Sequence, residues 1–128
     1  MKQAFFALTM LAATPAMGAG LAEDPKFLEI VNRTFVVEAV KQSCPSVGVR
    51  MLRSQRMIAD MAEYVSAQGY SQSEMKDALV DPAAQAGHMA RAQDYIRSKG
   101  YDLSKPQSYC AFAKDEKKAR TEIGKLFK

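Results

Sequence analysis

The chain has 128 residues, with 18 Lys and Arg against 14 Asp and Glu and a formal net charge of +4. That excess is too small to argue for a nucleic-acid partner, and the length suits a single domain. One histidine and two cysteines leave a soft-metal site short of ligands and nucleophilic catalysis almost nothing to work with.

Met1-Lys2-Gln3 is a short basic start, Ala4 to Thr14 is an almost unbroken apolar run, and small residues follow Pro15 up to Ala22. Basic, apolar and small in that order is the layout of a secretory signal peptide. The apolar run falls short of the about 20 residues that a membrane-spanning helix needs. Ala16-Met17-Gly18 and Gly20-Leu21-Ala22 both offer small residues to a signal peptidase, and no cysteine near them supports a lipid anchor. We therefore expect 1–22 to be removed and 23–128 to form an exported helical domain, periplasmic and without a transmembrane span.

Export changes how the cysteines read. In an oxidising compartment an even pair implies a disulfide, so Cys44 and Cys110 are expected to be joined. Closing so long a loop stabilises a fold by roughly 4 kcal/mol in a chain-entropy account.

Asp24-Pro25 predicts a helix start, with a capping side chain followed by proline where its missing N–H costs nothing. Phe27, Leu28, Ile30, Val31, Phe35, Val37 and Val40 leave only a narrow polar strip, which marks a central helix. The β-branched run Thr34 to Val40 also suits a strand, but the capped start and the Glu29–Arg33 spacing favour helix up to Ser43-Cys44-Pro45. A second helix is predicted from Val47 to Gln68, with Met51, Leu52, Gln55, Ile58, Ala62 and Val65 as its inner face and Arg53, Arg56, Asp60 and Glu63 opposite. Gly69 closes it.

Ser71-Gln72-Ser73-Glu74 is a capping box for a short third helix. Asp81-Pro82 opens an alanine-rich fourth helix, closed by Lys99-Gly100 and expected to lie close against a neighbour. Ser104-Lys105-Pro106-Gln107 repeats the capping-box pattern, and a last helix is predicted over 106–127 with Tyr109, Phe112, Ala113, Ala119, Ile123 and Leu126 as its stripe. With no hairpin signal in the chain, the fold class is all-α: a single-domain bundle of about five helices with one disulfide.

Candidate chemistry is sparse. His88 suits a hydrogen-bonded histidine at the core edge, and Met51, Met61, Met75 and Met89 suit gap-filling better than a copper site. Glu116–Arg120 and Arg56–Asp60 are spaced as helix ion pairs, the first partly buried. No catalytic residue, metal ligand or cofactor is assigned. The strongest surface signal is the last helix's basic side, where Lys114, Lys117, Lys118 and Lys125 project within about 100° of one another. Such a stripe suits an anionic membrane surface, a polyanionic cell-surface polymer or an acidic partner protein, and suits better still a solvated face that keeps an exported protein soluble.

Ser43-Cys44-Pro45, Gly69-Tyr70-Ser71 with Glu74, Tyr109-Cys110-Ala111-Phe112 and Ile123-Gly124-Lys125-Leu126 together resemble an uncharacterised family of short exported alphaproteobacterial proteins, a domain of unknown function. The resemblance covers the whole mature chain and implies a periplasmic location and a paired Cys44–Cys110, but no activity. A looser likeness is to periplasmic acid-stress chaperones of the HdeA type, which are small helical proteins with one disulfide and a lysine-rich C-terminal tail. This chain departs from them in length and loop spacing, so that likeness is one of architecture. The resulting expectation is a non-enzymatic binding or accessory protein of the cell envelope, touching another envelope protein or an anionic membrane surface. The alternative is an acid-activated chaperone that uncovers Phe27, Phe35 and Phe112 as its carboxylates protonate.

Overall fold

The computed structural model describes residues 20–128, so most of the expected signal peptide, and the cleavage position after Gly18, lie outside the described residues. Five helices follow one another: α1 (Pro25–Ser43), α2 (Met51–Ala67), α3 (Gln72–Val80), α4 (Pro82–Ser98) and α5 (Gln107–Ala119). Short 3-10 turns, Leu21–Glu23 and Gly124–Leu126, flank them. Among the described residues the only β pairing is an isolated antiparallel bridge between Val49 and Phe127. The all-α fold with one disulfide is as expected.

The local signals act as predicted. One Asp24 carboxylate oxygen accepts the backbone N–H groups of Lys26 and Phe27, each at 3.0 Å, and starts α1. Ser71 and Glu74 exchange both bonds of the capping box at the start of α3. Asp81 accepts from the Ala84 N–H at 3.0 Å and starts α4. Gly69 and Gly100 take positive φ just past α2 and α4, where a side chain would strain the turn.

α1 lies at the centre, chiefly against α4 and also against α2 and α5. Its first half meets Leu21, Met61, Val65 and Ala78 through Phe27, Ile30 and Val31. Its second half meets Ala92, Ile96, Tyr109, Phe112 and Phe127 through Val36, Ala39 and Val40. Phe35 touches both groups. The β-branched run is helical because burial on several sides outweighs its weak propensity. The Cys44–Cys110 disulfide spans 66 positions with the Cα atoms 5.5 Å apart, tying the end of α1 to the first turn of α5.

Several expectations need correction. α2 begins at Met51, not Val47, because 47–50 runs extended beside the C-terminus. There the Arg50 N–H donates to the Leu126 carbonyl at 2.7 Å and the Lys128 N–H to the Gly48 carbonyl at 2.9 Å. The box at Ser104–Gln107 does not form, since Ser104 donates its N–H and hydroxyl back to Asp102. Of the alanines in α4 only Ala92 is fully buried, so the others serve helix propensity more than close packing.

The largest correction concerns the last helix. α5 stops at Ala119, where Arg120 takes the left-handed conformation with φ 54°. The Thr121 N–H then closes onto the Glu116 carbonyl at 3.3 Å, and the Thr121 hydroxyl both donates to the Glu116 carboxylate and accepts the Gly124 N–H. The chain doubles back as a hook that buries Ile123, Leu126 and Phe127. The hook depends on Gly124, where an added Cβ would sit 2.0 Å from the Glu116 carbonyl oxygen.

Gly124→Ala is expected to destabilise by about 3 kcal/mol, because it overpacks backbone against backbone. Gly87, in α4 with open space around its Cα, serves as the opposite control, and Gly87→Ala is expected to stabilise by roughly 0.5–1 kcal/mol through helix propensity. Urea midpoints measure both; equal effects would show that the hook is not held by this close approach.

Candidate functional site

The hook changes which charges meet. Arg50, at the end of the extended 47–50 strip, donates from Nε to the Phe127 carbonyl at 3.0 Å. Lys117 on α5 donates its ammonium to the backbone oxygen of Lys128. Between these anchors lies a shallow depression lined by Arg50, Arg53, Lys117, Arg120 and Lys125 with no carboxylate among its walls.

This depression adjoins a wider cleft of about 610 Å³ between α1, α2 and the hook, where Lys26, Arg33, Arg53, Arg56 and Lys125 face Glu29, Asp60 and Glu122. Arg33 is paired with Glu29, and Lys125 with Glu122 at 2.7 Å. Among the described residues Arg56 and Asp60 form no ion pair, contrary to their spacing, and Arg53 makes no direct ion pair with a carboxylate either. Two exposed guanidinium groups therefore stand without a direct ion pair. The positive field reaches Glu122, whose carboxyl is held below its ordinary range first by Lys125 and then by Arg33 and Arg53.

The lysines singled out from the sequence are only partly gathered here. Lys117 and Lys125 meet across the depression, although Lys125 arrives on the hook and not on a continuing helix. Lys114 joins Lys117 in a neighbouring groove beside Cys110 and Lys128. Lys118 is exposed on α5 and lines neither recess. Sequence reasoning missed Arg50, Arg53, Arg56 and Arg120. The three-residue spacing of Arg50, Arg53 and Arg56 was the available signal, but it pointed to a solvated helix flank.

α2 is also rotated from the orientation expected: Val65 of the expected inner face is buried, but the residues of that face N-terminal to it are not. Met61 and Val65 pack inward with Met57 and Tyr64, while Met51, Leu52 and Ile58 are 61%, 79% and 44% exposed. What turns the helix this way is a polar clasp at its far end. The Tyr64 hydroxyl donates to both oxygens of the buried Asp24 carboxylate, at 3.1 and 2.9 Å, and Tyr70 donates to the same group at 3.3 Å. The Phe27 N–H, followed by these two hydroxyls, holds the Asp24 carboxyl below its ordinary value, against the opposing effect of burial.

The remaining candidates are structural. Arg91 donates to His88 Nδ1, which leaves Nε2–H to donate to the Ala78 carbonyl at 2.7 Å; this buried ring ties α4 to α3 and lies 5.2 Å from the Phe35 ring. Glu116 is buried against Thr121 and not paired with Arg120. Tyr101 donates to Asp115 and packs edge-on against Phe112, and that bond pushes its hydroxyl pKa up to about 12. Among the described residues no three His, Cys, Asp or Glu side chains converge as metal ligands, and no helix is long and apolar enough to cross a membrane.

Residues 19–128 match a family of unknown function, DUF5333, and the chain belongs to that family. No curated protein and no solved structure matches it.

Proposed function

We propose that this DUF5333 protein is a non-enzymatic binding protein of the cell envelope, exported to the periplasm, that works by presenting its cationic hook to an anionic membrane surface. The observation that carries this is the depression of Arg50, Arg53, Lys117, Arg120 and Lys125 with no carboxylate in its walls. Cations gathered this way raise the local concentration of an anionic surface's charges and act as one patch. Each Lys or Arg near such a surface contributes about 1 kcal/mol within a Debye length.

Leu21 adds a consequence for export. It is 3% exposed and packs in the same core as Phe27 and Met61. Cleavage after Gly18 keeps it in the fold, whereas cleavage after Ala22 discards it.

One observation favours acid-activated chaperoning as a second function: the Asp24 carboxylate that clasps α1 to Tyr64 and Tyr70. Its depressed pKa means the clasp stabilises the fold fully above the ordinary value of 3.8 and loses that contribution as pH falls through the lowered one.

Three measurements test these statements. Vesicles containing phosphatidylglycerol should bind the protein where neutral phosphatidylcholine vesicles do not, and Arg53→Glu with Lys117→Glu should weaken binding by about tenfold or more, as should raising salt well past 0.1 M. Binding indifferent to salt and to these reversals refutes the membrane assignment. The mass of the exported protein should place its N-terminus at Ala19; a start at Glu23 would show that Leu21 is dispensable. In acid, hydrophobic-dye fluorescence and client protection that surge at about pH 2–3, and are blunted in Asp24→Asn, favour the chaperone; a chain that stays dye-silent there dismisses it.

A further inference from the structure

α2 has more apolar surface than the fold uses. Met57, Met61, Tyr64 and Val65 supply its inward side, and Met51, Leu52 and Ile58 form a second stripe on the outside. Leu52 stands clear of the fold, while Met51 and Ile58 form one wall of an open groove whose other wall is Val37, Glu38 and Lys41 of α1. Leaving three large apolar side chains together in water marks a contact surface more often than chance.

The charges around the stripe narrow its occupant. Residues 50–58 contain three arginines and no carboxylate, the acidic residues of α2, Asp60 and Glu63, come later, and α1 adds one charge of each sign beside Met51 and Ile58, Glu38 and Lys41. A second copy of the chain would fit poorly. An isologous contact through this stripe sets Arg50 and Arg56 of both molecules near one another, and three side chains fall well short of the roughly 1,200 Å² that a specific dimer buries. An acidic protein would satisfy the arginines, yet it would have to provide a pocket for Leu52, which stands out from a convex helix with no cavity of its own. A lipid surface needs no pocket. Apolar side chains sink below the phosphates while guanidinium groups on flexible stems stay among them.

We infer that the N-terminal half of α2 is a membrane-seating helix: Met51, Leu52 and Ile58 enter the outer acyl region of an anionic bilayer while Arg50 and Arg56, on the two flanks of the helix, reach the lipid phosphates. This rests on the membrane assignment above and adds to it a depth and an orientation. The cationic hook draws the protein to the surface, and the α2 stripe holds it there.

The chain contains no tryptophan, so Leu52→Trp places a single fluorophore on an exposed position that the fold does not use. With vesicles of phosphatidylcholine and phosphatidylglycerol, its emission should shift to the blue and be quenched by lipids brominated on their acyl chains. Leu52→Asn should lower the vesicle partition coefficient by about tenfold while leaving its salt dependence unchanged. Binding without a blue shift or quenching overturns the seating helix and leaves the electrostatic assignment standing. No vesicle binding by the unmodified protein overturns both. A blue shift produced by an acidic protein, and not by vesicles, assigns the stripe to a protein partner and sinks the inference.

Discussion

The structure depends on the burial of α1 along nearly its whole length. Phe27, Val31, Val36 and Val40 are closed off from water on a single helix, and each such side chain contributes roughly 1.5–3 kcal/mol relative to exposure. A helix apolar on so many sides needs cover from several directions. α4 supplies one flank, α2 and α5 the others, and the hook closes the gap that remains. The two ends of α1 are anchored by different chemistry. At the start, a buried carboxylate gathers backbone and tyrosine donors. At the end, a covalent bond reaches α5.

The surface chemistry follows from the way that cover is completed. The chain reverses at Arg120 because Gly124 can approach the Glu116 carbonyl where no other residue fits. The reversal lays the C-terminus beside 47–50 and so brings Arg50 and Arg53 to the lysines of α5 and the hook. Packing therefore creates a cationic patch from segments more than sixty positions apart. Its arginines lie beside Met51 and Leu52, so charge and exposed apolar surface share one end of the molecule.

Caps and stops were legible in the sequence because each involves residues within four positions of one another. Asp24-Pro25, the Ser71–Glu74 box, Asp81-Pro82 and the two glycine stops all act as their spacing indicates. The cysteine pair was legible because a chain with only two cysteines offers each of them a single possible thiol partner. Ser104–Gln107 misled because Asp102 competes for the same donors from two positions away. Half of the candidate site was also hidden. The lysines of α5 could be read as a stripe, but the arginines of α2 belonged to it only after folding.

The amino-acid sequence by itself determined the helix starts and stops, the central role of α1 and the disulfide, since local backbone chemistry and a count of two thiols decide these. Only the tertiary structure decided which apolar stripe of α2 faces inward and where α5 ends. Met57, Met61, Tyr64 and Val65 recur at helical spacing as well as Met51, Ile58 and Val65 do, so periodicity offers two faces without ranking them. The choice is made by the reach of Tyr64 to Asp24, forty positions away, and by a glycine whose contact with Glu116 exists only once the chain has turned back.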